Sequence, residues 1–448
     1  MSSRFRPRFQ GLWRHPDFLK LWTGQSVSVF GTLITKVALP ILAVLTLHAD
    51  AAQVALIYAA QVAPTLAFGL FAGALADRVR RRPLLIIADV GRALTLASVP
   101  LAAVTGSLSL NLIYVVTLLA SALSALFDIA YPAYLPSLVG PERLLEGNAK
   151  MGASMSVAEV AGFGLGGALV QALSASGAIV VDIATYIVSI VSLALIRTRE
   201  PAPEREPGEA TTPRQALAQL RRDVAEGLRL TWRQPTRRAL AGVEMVQALC
   251  GGMLEPVFYI FILRDLGVSP AIATATFAVG GVASFLGATL TERVTGRLGM
   301  RRALRLSALM GAGFALLIPL AGGPLWLAIT MLMATQLGDM GYTIYGIAQS
   351  TTLQRVSPTA ALGRITASIQ FVAGAATVVG LGLGAGLGQL IGARYTLLLA
   401  TLGMLLGPLW LALERIEPEQ AYDEQREQGE QPAPDAALPE PAGKLSAR

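Results

Sequence analysis

Long apolar runs alternate with short polar breaks along the whole chain, and this alternation limits the fold more than any other feature. Several runs exceed 18 residues with almost no charge. Each is long enough to cross the ~30 Å hydrocarbon core of a bilayer as a helix. Inside lipid no water is available to the backbone, so such a segment must satisfy its own hydrogen bonds as a helix. Only 15% of the 448 residues are charged, against about 25% in an ordinary soluble domain. A soluble helical core would need a polar face on most helices, and most of these runs lack one. The sequence therefore predicts an all-α polytopic membrane protein.

The expected spans are 21–46, 53–75, 84–104, 109–131, 151–173 and 176–196, then 240–263, 271–292, 303–322, 324–347, 365–391 and 393–413, twelve in all. Basic residues sort sharply between the connecting loops. One side carries Arg78 to Arg82, Arg143, Lys150, the whole 197–238 segment, Arg293, Arg297, Arg301, Arg302, Arg355 and Arg364. The other carries Arg264 and Arg394. Positive loops stay inside, so both termini and the middle segment are expected in the cytoplasm of a cell whose plasma (inner) membrane holds the protein. The net charge of +7 is thereby assigned to topology and anionic lipid rather than nucleic acid. Cys250 is the single cysteine, so no intrachain disulfide is possible. His15 and His48 have no second metal-ligand candidate at useful spacing, and no metal or cofactor is expected. The N-terminus is basic and then enters a full-length span, unlike a cleavable signal peptide.

The densest break lies between spans two and three. From Asp77 to Arg82, six residues hold four arginines and one aspartate, preceded by Gly73. Such a stretch reads as a tight turn at the membrane surface. The middle segment begins with a flexible Pro/Glu-rich run. It continues with Leu217, Leu220, Val224, Leu228 and Trp232 on one helical face among arginines, the pattern of a helix lying along the membrane surface. From Glu417 onward Glu, Gln, Pro and Ala dominate, which reads as disorder.

The two halves echo each other. Span two ends Gly-Ala-Leu-Ala-Asp77-Arg78, and span eight ends Gly-Ala-Thr-Leu-Thr-Glu292-Arg293. Span five carries Gly162, Gly166 and Gly167; span eleven carries Gly380, Gly384 and Gly388. Small residues at helical spacing let two helix backbones approach closely in lipid. Echoes six spans apart predict a duplicated six-helix bundle with pseudo-two-fold symmetry, the parallel-repeat plan of many secondary transporters. The expected division is 1–200 for the first bundle, 201–238 for a cytoplasmic linker with an amphipathic helix, 239–414 for the second bundle and 415–448 for a disordered tail.

Gly73, Leu75, Ala76, Asp77, Arg78, Arg81 and Arg82 resemble the loop 2–3 motif of the major facilitator superfamily, and the resemblance covers about 1–414. Within it, the stretches Tyr131 to Val139, Asp182 with Tyr186 and Ser189, and Gln349 to Arg364 are similar to bacterial enterobactin exporters and macrolide efflux proteins. Ala158 and Phe163 stand where the family's span-five antiporter motif has glycine and proline, and span four lacks the arginine of many proton antiporters. The resemblance implies that spans one, four, five, seven, eight, ten and eleven border a central cavity, with three, six, nine and twelve outside it. Asp77 is the lone acid at the cytoplasmic end of span two, and span eleven begins on the same side after Gly363-Arg364; Asp77 is therefore expected to dock on the N-terminus of span eleven, whose partial positive charge favours an anion, and to latch the cytoplasmic side shut in the outward-facing state. Arg78, Arg81 and Arg82, with Asp89 and Arg92 below them, would hold the loop in shape.

An ionisable group near the bilayer midplane is costly and marks function. Lys36, Glu159, Asp182, Glu255 and Asp339 fall near their span centres. On the resemblance, Lys36, Glu159, Glu255 and Asp339 are cavity residues, joined by Gln247, Gln336 and Tyr342, while Asp182 is structural. Glu159 or Glu255 is expected to carry a coupling proton, because a carboxylate in a low-dielectric cavity can load and release one near neutral pH. Lys36 would hold a carboxylate ionised in one conformation or, in the plainer reading, pin two helices. No nucleotide-binding loop and no nucleophile or metal constellation is present, which argues against an ATP-driven pump and an enzyme. The sequence thus predicts a monomeric secondary transporter exporting a small amphipathic molecule, a drug or siderophore, against H+. A lysophospholipid flippase, an uptake carrier and a non-transporting sensor are the alternatives.

Overall fold

The computed structural model describes residues 11–68, 80–198, 200, 213–358 and 361–413. Spans one to four are Pro16–Leu45, Ala51–Phe68, Arg81–Thr105 and Leu110–Val139. Spans five and six form the helical stretch Leu144–Ala194, broken at Ser174 (φ 68°, ψ 166°). The Ser174 hydroxyl accepts the Gly177 amide at 3.2 Å, a side-chain cap that starts the returning helix. A linker helix, Pro213–Arg233, precedes span seven, Pro235–Ile260. Span eight is Pro270–Leu298, and span nine is Met300–Ala315 with Leu317–Leu320. Span ten is Leu325–Thr335 with Gly338–Val356, span eleven Leu362–Ile391, and span twelve Ala393–Met404 with Leu406–Leu413. Among the described residues, nine helices are individually long and apolar enough to cross a membrane, one of them the joined fifth and sixth spans.

The ends follow from local chemistry. His15 Nδ1 accepts from the Phe18 amide at 3.1 Å and caps span one. Gln234 Oε1 accepts from the Arg237 amide at 2.7 Å and caps span seven, where Pro235 occupies the first turn. Gly106 closes span three at φ 71°, a left-handed conformation open to glycine without steric penalty.

The molecule is two six-helix bundles related by pseudo-two-fold symmetry, and the glycine seams repeat accordingly. In the first half Gly162 and Gly166 of span five pack on Leu33 and Val37 of span one. In the second half Gly380 and Gly384 of span eleven pack on the Leu249 and Met253 carbonyls of span seven. The third glycine of each set crosses to the other half. Gly167 meets Pro270 and Thr274 of span eight; Gly388 meets Ala51 of span two as well as Val257 of span seven.

The cores differ between the two ends. At the end poor in charge, one apolar cluster runs through both halves, joining Ile41, Val44 and Ala51 to Phe261, Leu263 and Ala273. At the basic end the clusters are separate. One holds Leu12, Phe18, Leu85 and Phe127, all of the first half; the other holds Leu240, Leu304, Tyr345 and Ile365, all of the second. The described halves thus share one apolar core at the charge-poor end and keep separate cores at the basic end.

Candidate functional site: two cavities facing the central space

Each half presents its own cavity. The first, about 450 Å3, is lined by Lys36 of span one, Arg92 of span three, Asp128 of span four, Glu159 of span five and Asp182 of span six. Lys36, Asp128 and Glu159 are exposed to it. Among the described residues Lys36 makes no ion pair within 4.0 Å, so in this conformation it is not the helix-pinning partner of an acid.

Arg92 and Asp89 lie elsewhere than the sequence suggests. They were expected to support the loop below Arg82, yet Asp89 is seven residues along span three, roughly 10 Å into the bundle. The two form a buried pair. Asp89 also accepts from the Ser189 hydroxyl at 2.6 Å. The Arg92 guanidinium lies 4.5 Å over the rings of both Phe127 and Tyr186, and its Nη1 reaches Ser124 at 3.4 Å. Span four has no arginine, but span three delivers one to its wall. Asp182 accepts hydrogen bonds from Thr35 of span one and Thr185 of its own helix, and it lines the cavity as well. Spans three and six therefore contribute to the first half's cavity, correcting their expected place outside it. The cause is packing: Gly31 of span one lets Asp182 and Thr185 approach its backbone.

Arg81 and Arg82 remain at the surface. The Arg81 amide donates to Glu200 at 2.8 Å. Arg82 donates to the Leu193 and Ala194 carbonyls at 2.9 and 2.7 Å, covering the C-terminus of span six. Gly73, Asp77 and Arg78, and with them the docking expected at span eleven, lie outside the described residues.

The second cavity, about 260 Å3, is lined by Glu255 and Phe258 of span seven, Phe277 of span eight, Gln336, Asp339 and Tyr342 of span ten, and Tyr58 from the other half. Glu255 and Asp339 have no ion pair among the described residues. Span ten is interrupted here. The Gln336, Leu337 and Asp339 amides bond three residues back, at 3.2, 3.1 and 3.1 Å, a tightened turn of the kind found at hinges. Gln336 reaches Thr276 of span eight at 3.4 Å, and Asp339 packs over Gly280. Tyr342 donates to the Met404 sulfur at 3.6 Å. Gln247, expected here, lies beside Gly407 of span twelve and is not part of this lining. Phe163 of span five meets Phe277 edge-on at 6.0 Å between centroids, and Phe277 stacks on Phe258 at 6.2 Å. These rings join the halves at the wall of the second cavity.

The sequence model of the Major Facilitator Superfamily matches residues 21–376 and again 240–444. The chain belongs to the major facilitator superfamily. As a member, it is a multi-pass membrane transporter. It is similar to the multidrug efflux pump Tap of Mycolicibacterium fortuitum, 28% identical over 390 residues, covering 84% of this chain and 90% of that one. An MFS-type transporter of Bacillus subtilis, YfiS, is 25% identical, covering 90% and 94%. Among solved structures, a bacterial homologue of the iron transporter ferroportin in an inward-facing state superposes with a TM-score of 0.70 at 14% identity, covering 90% of this chain and 99% of that one. The nucleoside transporter NupG gives 0.69 at 11%, covering 89% and 99%. At these identities the structures speak for the fold alone. Sequence reasoning about this superfamily member missed the Arg92 placement and the break in span ten. The Asp89–Arg92 spacing of three was the available signal for the first; Gly338 between Gln336 and Asp339, in a largely apolar run, was the signal for the second.

Proposed function

We propose that this transporter exports a small amphipathic molecule, a drug or siderophore, by proton-coupled alternating access, with its basic end and both termini in the cytoplasm. One observation carries the reading. The halves share one apolar core at the charge-poor end and keep separate cores at the basic end, and the cavity walls present Glu159 and Glu255, which make no ion pair among the described residues. A carboxylate that meets cytoplasm in one state and the outside in the other is a proton carrier by position. The similarity to Tap, a multidrug efflux pump, favours export. The protein works as a monomer in this reading, each chain holding its own pathway, with 1–200 and 239–414 rocking about the linker.

The test is transport in reconstituted vesicles under an imposed pH gradient, over a panel of siderophores, macrolides and lipids. Parent protein should accumulate at least one member only when the gradient is present. Glu159→Gln or Glu255→Gln should abolish the gradient dependence, with the unaffected variant marking the bystander. Parental pH-driven rates in both variants would eliminate the coupling assignment.

A further inference from the structure

Besides the two cavities of the central space, the second half holds a third, of about 300 Å3, between spans seven, ten and eleven. It lies toward the basic end. Glu244 on its wall precedes Glu255 by eleven residues of span seven, which is three turns, roughly 16 Å along the axis and about 20° around it. The two carboxylates thus occupy one face of one helix, each at its own cavity.

The lining is distinct from that of the aromatic cavity above. It offers the Glu244 carboxylate, the amides of Gln349, Gln354 and Gln370, and the hydroxyls of Ser350 and Thr366. Glu244 accepts one bond from Gln349 at 3.2 Å. It has no ion pair among the described residues. Arg364, close by at the start of span eleven, is taken by Glu226 at 2.6 Å. Among the described residues no basic side chain lines the cavity. Gly346 forms part of the wall, and a Cβ added there meets nothing within 4 Å.

We infer that this cavity is a binding site at the mouth of the pathway for a protonated amine flanked by hydroxyl groups. The carboxylate supplies a charge-assisted bond to the ammonium. Three amides and two hydroxyls supply donors and acceptors to its polar neighbours. A bulky aromatic body gains little here and more at the Phe258–Phe277 level, so cargo is caught by its polar cationic part before its apolar part moves inward. The inference rests on the transport reading and specifies the cargo class for it.

The probe is N-methylglucamine, a polyhydroxylated secondary amine, with sorbitol as its uncharged counterpart. Binding to the purified full chain is read by saturation-transfer NMR. N-methylglucamine should bind in competition with other amines, and sorbitol should not. Glu244→Gln keeps the size and the Gln349 contact, and should weaken binding by about tenfold, as expected for loss of a bond to a charged group. Gly346→Leu should fill the cavity and abolish binding while the thermal midpoint stays at the parent value. Glu255→Gln should leave the probe bound. Equal binding of sorbitol, no binding of the amine, or parental binding in Glu244→Gln would each overturn the assignment. Absence of pH-driven transport would sink only the coupling, because this measurement needs no gradient.

Discussion

Glycine positions decide how close the helices come. A Cβ on Gly384 would sit 2.3 Å from the Met253 carbonyl, whereas one on Gly386, two residues on, meets nothing within 4 Å. Gly384→Val should therefore destabilise the protein by about 1–3 kcal/mol, the usual range for overpacking, and Gly386→Ala, inside the same helix, should cost nothing and raise stability by up to about 1 kcal/mol. Thermal midpoints in detergent decide it; equal midpoints would mean the seam is loose. The rows at 162, 166 and 380, 384, 388 were legible in the sequence because a repeat of four is also a helical stripe. Arg92 was not. It follows a basic loop closely enough to read as its continuation, and only the rings of Phe127 and Tyr186, brought from spans four and six, reveal that its charge is held inside the bundle.

Among the elements, the linker helix departs furthest from its amphipathic pattern. Leu228 and Trp232 suggested a helix lying on lipid, and Trp232 is indeed exposed. Yet the same helix crosses the first turns of span eleven. Glu226 pairs with Arg364, Ser368 donates to the Val224 carbonyl at 3.3 Å, and Gly227 faces the Arg364 backbone. Any contact of Asp77 with the start of span eleven must share that turn with the linker helix. A Cβ on Gly227 would lie 2.1 Å from the Ser368 hydroxyl and 2.4 Å from the Arg364 carbonyl. Gly227→Val should lift the helix, and amide exchange over 222–233 should rise by about tenfold or more, as for a segment that opens locally. Unchanged protection would show that the helix is held by something other than this contact. The sequence signals a helix here through period alone; its partner is set by three-dimensional packing, which a period cannot name.

At the scale of the whole molecule, the twelve-span architecture was readable because lipid forbids most alternatives, and the duplication because its halves kept the same glycine and acidic positions. The conformational state was not, since one sequence must serve several. What the structure adds is how the two ends are fastened. The closed end is joined by bonds to uncharged groups: Arg264 donates to the Val44 carbonyl, the Gly167 amide to the Thr274 hydroxyl at 3.1 Å and the Ala271 amide to the Gln171 side-chain oxygen at 3.3 Å. Within the second half, Arg394 donates to the Ala321 carbonyl at 2.8 Å. Among the described residues no ion pair joins the halves there. At the basic end the ion pairs lie within one half or on the linker: Lys20–Asp17 at 2.7 Å and Arg81–Glu200 at 3.6 Å in the first half, and Arg364–Glu226 at 2.6 Å between span eleven and the linker helix. Raising ionic strength from about 0.1 M to 1 M shortens the screening length from roughly 10 Å to 3 Å. Spin labels across the closed end should therefore report the same separation at both concentrations, while labels on the linker helix and span eleven should drift apart. A closed end that opened in salt would contradict this. Salt in the surroundings should thus loosen the strap across span eleven and leave the hinge between the halves as it is.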